Sequence, residues 1–478
     1  MGTLLIASPS LMLVLRSRPL LGCLVSAAML AAAATPAHAA SAVTTEVVVR
    51  LSRHAPADTP ARLARALGTT RARHISGRHW LIGAGRRFDP RAAIGRLRRH
   101  PGVVAVTPNQ PARAAAVEAI VPNDTGLASH AGAPGGWLAR QWSLAGPFGV
   151  NAPAAWELAR AAGAEGGAGV TVAVVDSGVA YARRGRYRRS PDLAPQRLRR
   201  GYDFVEDDPY PNDSYGHGTF VAGIIAAAAD NAYGMVGIAY RADILPVRVL
   251  DETGGSSSAR IAQGIRYAVD HGADVINASI ELYDPFDPLG PRGLSLTSAP
   301  EIRSALRYAH ERRVVVVAAA GNLAQADVPA RRLEAEIINV GGTTEHGCLG
   351  DYSNHGPGLD LVAPGGGDDA ALDADATCRP GQPAGRNVAQ VTFRAHRPGR
   401  FTVPSDYRGT SMAAPHVSGT VALLLAAGRL GRRPAPETVE GHLEATARDL
   451  GAPGVDRFYG GGLVDAGAAL APSPAPAL

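Results

Sequence analysis

Gly409-Thr410-Ser411-Met412-Ala413-Ala414-Pro415-His416-Val417-Ser418-Gly419 is the stretch on which the reading of this chain turns. A serine among small residues, followed by the apolar run Val421 to Ala427, reads as a nucleophile in the first turn of a buried helix. Proline at Pro415 is tolerated in a first turn, where its missing N–H has no intrahelical partner. The unpaired N–H groups and positive dipole end of such a helix would suit a developing oxyanion beside Ser411. Taken alone, the stretch reads equally well as a buried small-residue helix with a capping serine.

Two upstream stretches move that balance. Thr171-Val172-Ala173-Val174-Val175-Asp176-Ser177-Gly178-Val179 is an apolar run ending in a carboxylate and a glycine, as a buried parallel strand delivers a side chain to its C-terminal edge. Asp213-Ser214-Tyr215-Gly216-His217-Gly218-Thr219-Phe220-Val221-Ala222-Gly223 places a histidine between glycines at the start of another helix. Through D-S-G, H-G-T and G-T-S-M-A-A-P-H in that order, the chain resembles the subtilisin-like (subtilase) serine endopeptidases from Gln141 to Leu470. The resemblance implies that Ser411 attacks the scissile carbonyl, that His217 takes its proton and that Asp176 orients the imidazole. Asn322, after the run Val314 to Gly321, matches the family's oxyanion asparagine; as a bare residue it reads as a turn former. Phe220 stands where the common H-G-T-H motif has a second histidine, outside the expected triad.

Strand-like runs recur at Val170 to Val175, Ile244 to Val249, Val275 to Ile280, Val314 to Ala318 and Ile337 to Val340, with helical stretches at Ala259 to His271 and Glu301 to His310. This alternation predicts an α/β fold, a doubly wound and mostly parallel sheet with helices on both faces. Residues 41 to about 118 differ. Their β-α-β-β-α-β pattern, with strands at Glu46 to Leu51 and Gly102 to Thr107, a hairpin at Arg71 to Ile82 and helices at Pro60 to Leu67 and Pro90 to Arg99, predicts a small α+β ferredoxin-like domain. That domain looks like the inhibitory prosegment of subtilases.

The expected organisation is a signal peptide over residues 1–40, an inhibitory prodomain over 41–118, a linker with the processing region over 119–136, a catalytic domain over 137–470 and a disordered tail over 471–478. Arg16 and Arg18, the apolar run Leu20 to Ala34 and Ala37-His38-Ala39 carry the signal-peptide reading, hence a secreted protein, extracellular or periplasmic, with no membrane attachment after processing. Leu20-Leu21-Gly22-Cys23 also resembles a lipoprotein box, but the apolar run continues past it.

The chain has 48 basic and 42 acidic residues, every basic one an arginine, and a formal charge of +6. That figure hides an asymmetry. Residues 41–120 hold 14 Arg against 4 acids and residues 1–40 hold 2 Arg and none, which leaves 32 basic and 38 acidic residues, a formal −6, for residues 121–478. Opposite fields would help a prosegment template and inhibit its own enzyme. Nucleic-acid binding is disfavoured, because no recognition motif accompanies the arginines.

The resemblance also assigns substrate and ion sites. Asp274 to Ile280 resembles the family strand that pairs with the substrate backbone, so Ser279, Ile280, Glu281 and Gly321 are expected to bind substrate. Glu281 stands where subtilisins place glycine; it either lies at the pocket rim and favours a basic or polar P1 residue, or is simply solvated. Gln141, Asp192 and Asn231 fall where subtilases gather oxygen ligands for a structural calcium ion, and no catalytic metal is expected. In an exported chain Cys348 and Cys378 are expected to form a disulfide, and His346 and His355 near Cys348 match no zinc spacing. Asp368 to Arg400 reads as an insertion, either a surface loop or an element at the cleft edge. The implied function is a secreted serine endopeptidase, monomeric, self-processed from a zymogen and acting on protein or peptide substrates. A catalytically silent binding protein on the same scaffold would have lost one of these residues, and a dedicated processing protease would keep them all.

Overall fold

The computed structural model describes residues 46–83, 90–109, 120–284, 292–294, 296–326, 337–372, 378, 383–394 and 397–472. The signal-peptide stretch, the Cys23 box and residues 473–478 of the tail lie outside them. The chain divides into two compact units, Met1–Val117 and Glu118–Leu478.

In the smaller unit the order is β1 (Glu46–Leu51), α1 (Thr59–Ala66), β2 (Ala72–Ser76), β3 (His79–Gly83), α2 (Pro90–Arg98) and β4 (Val103–Pro108). The strands form one antiparallel sheet in the order β2-β3-β1-β4, a ferredoxin-like arrangement. Val47, Val49 and Val106 of the sheet pack with Leu63 of α1 and Leu97 of α2 in a single core, as two amphipathic helices on one sheet face require.

The larger unit opens with α3 (Trp142–Ala145) and α4 (Ala152–Ala161) and is built on β5 (Thr171–Asp176), β6 (Tyr202–Asp203), α5 (His217–Ala226), β7 (Asp243–Arg248), α6 (Ser258–Asp270) and β8 (Val275–Ala278). It continues through the short β9 (Leu282–Asp284) and β10 (Arg292–Leu294), α7 (Pro300–Glu311), β11 (Val315–Ala319), β12 (Ile338–Thr343), β13 (Leu361–Pro364), the pair β14 (Thr392–Phe393) and β15 (Phe401–Thr402), and α8 (Thr410–Ala426). Seven strands form a parallel sheet in the order β13-β12-β11-β8-β5-β7-β6. Side-chain alternation splits each central strand between two cores. Val172 and Val174 of β5 face the core shared with α4, α5 and α8, while Ala173 and Val175 face the one shared with α6 and α7. Burial on both faces is why these strands read as continuous apolar runs.

Two expectations are corrected here. Residues 120–136, expected as linker, belong to the folded larger unit: Trp137 is fully buried and its indole N–H donates to the Pro122 carbonyl at 3.0 Å, while the Gly126 and Gly234 N–H groups bond the carbonyls of Gly234 and Leu127. The segment lacks periodicity because backbone hydrogen bonds hold it, not an apolar face. Pro415 sits inside α8, beyond the first turn. Lacking an N–H, it leaves the Ser411 carbonyl without its helical donor, and the Ser279 hydroxyl takes that place at 2.9 Å.

The Asp368 to Arg400 insertion is partly interior: Gln390, Thr392 and Phe393 are buried, and the Thr392 hydroxyl donates to the Gly216 carbonyl at the start of α5 at 2.5 Å. Phe220 is fully buried and stacks on Tyr407 with centroids 4.1 Å apart. Cys348 and Cys378 form a disulfide, with Cα atoms 5.5 Å apart and a sequence separation of 30. A loop of that length contributes about 3.6 kcal/mol through the unfolded chain. Cys378→Ser is therefore expected to lower the thermal midpoint by several degrees, measured against the non-reduced parent, and a thiol assay on that parent should find no free cysteine after removal of residues 1–40.

Candidate active site

The carboxyl ends of β5, β8 and β11 meet at one edge of the sheet, beside the start of α5 and α8, where open parallel sheets place their ligands. Asp176, the last residue of β5, is fully buried. His217 begins α5, and its Nδ1 lies 2.8 and 3.0 Å from the two Asp176 carboxylate oxygens. The close approach of helix to strand needs glycine at Gly218, where a Cβ would strike the Gly178 carbonyl and lie 3.1 Å from the Asp176 side chain. Burial of His217 disfavours its charged form, but the charge of Asp176, its hydrogen bond and the charge of Asp213 outweigh that, so the imidazole pKa is raised.

Asp213 is a second buried carboxylate behind this pair. It accepts from the hydroxyls of Ser177 and Thr219 and from the N–H groups of Tyr215, Gly216 and Thr219. Burial nevertheless raises its pKa, with Asp176 adding to the effect. Ser177 in turn accepts the Gly218 N–H at 2.9 Å, so the network fixes the turn that presents His217. Nothing in the bare sequence distinguishes Asp213 from a turn residue.

Ser411 lies one residue into α8, and its hydroxyl donates to the Ser279 carbonyl at 3.3 Å. Asn322, just past β11, accepts the Thr410 N–H at 2.8 Å and the Thr410 hydroxyl at 3.0 Å through Oδ1. Because an N–H can only donate, the amide orientation is settled and its NH2 group is left for the cleft. His217, Ser279, Ile280, Glu281, Asn322 and Ser411 all line one cleft of about 690 Å³. Gly321 is buried behind it, its N–H bonded to the Thr410 hydroxyl at 3.2 Å. Glu281 is half-buried, not freely solvated, and accepts the Asn322 N–H at 3.2 Å.

The expected ion ligands divide. The Gln141 amide spans the Val236 backbone: Nε2 donates to the Val236 carbonyl and Oε1 accepts the Val236 N–H, both at 2.8 Å, so it acts as a backbone strut. Asp192 and Asn231 do meet, Nδ2 to Oδ1 at 3.1 Å. Asp124 completes the group, accepting the N–H groups of Asp230 and Asn231. Burial pushes Asp192 up to about 8 and Asp124 up to about 6, and Asp124 adds to the rise at Asp192. Among the described residues neither carboxylate has an arginine or histidine partner. Two buried acids beside a primary amide suit a hard cation. Asp124 lay in the stretch read as linker, where only Asn123-Asp124 after a proline marked it.

A family model described as "Subtilase family" matches residues 167–462. The chain is 34% identical over 284 residues to a thermophilic serine proteinase of Bacillus sp. (strain AK1), covering 59% of this chain and 58% of that one. It is 32% identical over 467 residues to an extracellular protease of Xanthomonas campestris pv. campestris, covering 90% of this chain and 69% of the relative. A solved protease from Pseudoalteromonas arctica is 28% identical and superposes with a TM-score of 0.56, over 73% of this chain and 99% of its own. The strand order, the cleft and these matches agree: the chain belongs to the subtilase family of serine endopeptidases.

Proposed function

We propose that this chain is a secreted endopeptidase that cleaves protein or peptide substrates through an acyl-enzyme formed on Ser411, after processing itself from a zymogen. The observation that carries the reading is the meeting in one cleft of Ser411, Asn322 and a His217 already held by Asp176. In the reaction the Ser411 hydroxyl leaves the Ser279 carbonyl, gives its proton to His217 Nε2 and bonds the scissile carbonyl carbon. Asp176 keeps Nδ1 protonated and stabilises the imidazolium. The oxyanion receives the Asn322 side-chain N–H and the Ser411 backbone N–H, the latter an unpaired donor of the first turn of α8. His217 then passes the proton to the leaving amine, and water repeats the sequence to release the acid.

In this reading the smaller unit is the inhibitory prodomain, strongly basic against an acidic enzyme. The maturation cut falls between Asn109 and Ile120, since later cuts would approach Asp124, Pro122 and the backbone bonds that tie 120–136 to the enzyme. The Xanthomonas relative's description as extracellular supports export, to the periplasm or beyond. Asp124, Asp192 and Asn231 would hold a structural calcium, supplying the positive charge that the two buried carboxylates lack. The working unit is a monomer.

Three outcomes check this reading. N-terminal sequencing of the purified precursor should find a shortened wild-type chain and an intact Ser411→Ala chain; equal shortening of both would remove self-processing. Asn322→Ala should lower kcat by about 10²–10³-fold with KM little moved, by steady-state kinetics, because the donor is used most in the transition state. Chelation should lower the thermal midpoint of the mature enzyme and leave that of Asp124→Asn closer to its own starting value, as read by differential scanning calorimetry.

A further inference from the structure

Strands β8 and β11 run in register from Val275↔Val315 to Ala278↔Ala318. Carried three residues further, that register sets Glu281 opposite Gly321. The side chain turns along this gap: one carboxylate oxygen accepts the Asn322 N–H at 3.2 Å, and the other accepts the Tyr283 hydroxyl at 3.1 Å. Gly321, at φ +104°, leaves the room, since a Cβ there would come within 2.5 Å of the Glu281 oxygen. The carboxylate thus lies against the backbone of the residue whose amide faces the reacting carbonyl.

Among the described residues no cation compensates its charge. Two neutral donors occupy two of about four acceptor sites, and among the described residues lining the cleft there is no arginine; the one histidine, His217, is engaged with Asp176. Burial raises the Glu281 pKa, the direction expected when no cation is near. Holding a half-buried carboxylate unpaired costs free energy that a hydrogen-bonded cation would offset. The same cleft belongs to the part of the chain with formal charge −6, a field that draws basic substrates.

We propose that Glu281 selects arginine or lysine as the substrate residue on the acyl side of the scissile bond, by pairing its carboxylate with their cationic head. The inference rests on Ser411 being the nucleophile of this cleft. A guanidinium or ammonium reaching Glu281 would use the acceptor positions that Asn322 and Tyr283 leave open, while an apolar side chain would bury the carboxylate further without pairing it.

The test uses the mature enzyme, titrated with a serine-reactive fluorophosphonate, and fluorogenic peptides identical except for Arg, Lys, Phe or Leu before the cleaved bond. We expect kcat/KM for Arg and Lys to exceed that for Phe by at least tenfold, and Glu281→Gln, with Glu281→Ser as a second variant, to reduce the Arg-to-Phe ratio at least tenfold. Ready labelling with an apolar preference, or a ratio that neither variant moves, overturns the role of Glu281 and leaves the hydrolase reading standing. A ratio unmoved while all substrates slow together makes Glu281 a support for the Asn322 loop and also overturns it. Absence of labelling at Ser411 overturns both readings.

Discussion

The site depends on how the first turn of α8 satisfies its backbone inside a closed core. A helix start leaves N–H groups unpaired, and Pro415 also strips the Ser411 carbonyl of its donor; buried, each vacancy would cost about 1–3 kcal/mol. Asn322 takes the Thr410 N–H from the end of β11, and Ser279 gives its hydroxyl to the Ser411 carbonyl from the end of β8. These two bonds tie the helix to adjacent strands. They fix Ser411 relative to Asn322 because the groups that repair the helix are the ones that flank the reacting position. Asn277, buried in β8, extends the tie: it donates to the Ser279 hydroxyl and accepts that of Ser418 one helical stretch further on.

Buried acids are compensated in different ways, and the differences sort structure from chemistry. Asp203 is buried against Arg248 at 2.6 Å, an ion pair within the sheet edge. Asp213 is held by five neutral donors and stiffens the turn before α5. Asp176 meets an imidazole that can gain and lose a proton. Among the described residues, buried Asp124 and Asp192 and half-buried Glu281 have only neutral donors, the arrangement on which the proposed calcium and substrate pairings rest.

The strands, the helices on either face and the three motif residues were legible because their signals are local. A strand buried on both faces reads as an unbroken apolar run, and glycines beside Asp176 and His217 mark where backbone must turn or approach closely. The pairing of Cys348 with Cys378 followed from there being two cysteines in the body of the chain. Gln141 and Asp124 were not legible in the same way. Each is assigned by a partner about a hundred residues away: Val236 for Gln141, Asp230 and Asn231 for Asp124. A stretch held by such bonds carries no periodicity, so residues 120–136 resembled a linker.

By itself, then, the sequence determined the family and the parallel sheet and supplied the side chains proposed for acyl transfer, since these are written in hydrophobic period and in short runs of fixed composition. Tertiary structure alone decided which polar group answers which. Only the strand register sets Glu281 against Gly321 and Asn322, only the packing of α8 on β8 brings Ser279 to the carbonyl freed by Pro415, and only the fold of residues 120–136 carries Asp124 to Asp192. Hydrogen bonding and charge compensation act over a few ångströms in space, and the chain does not record which distant residues will be within that reach.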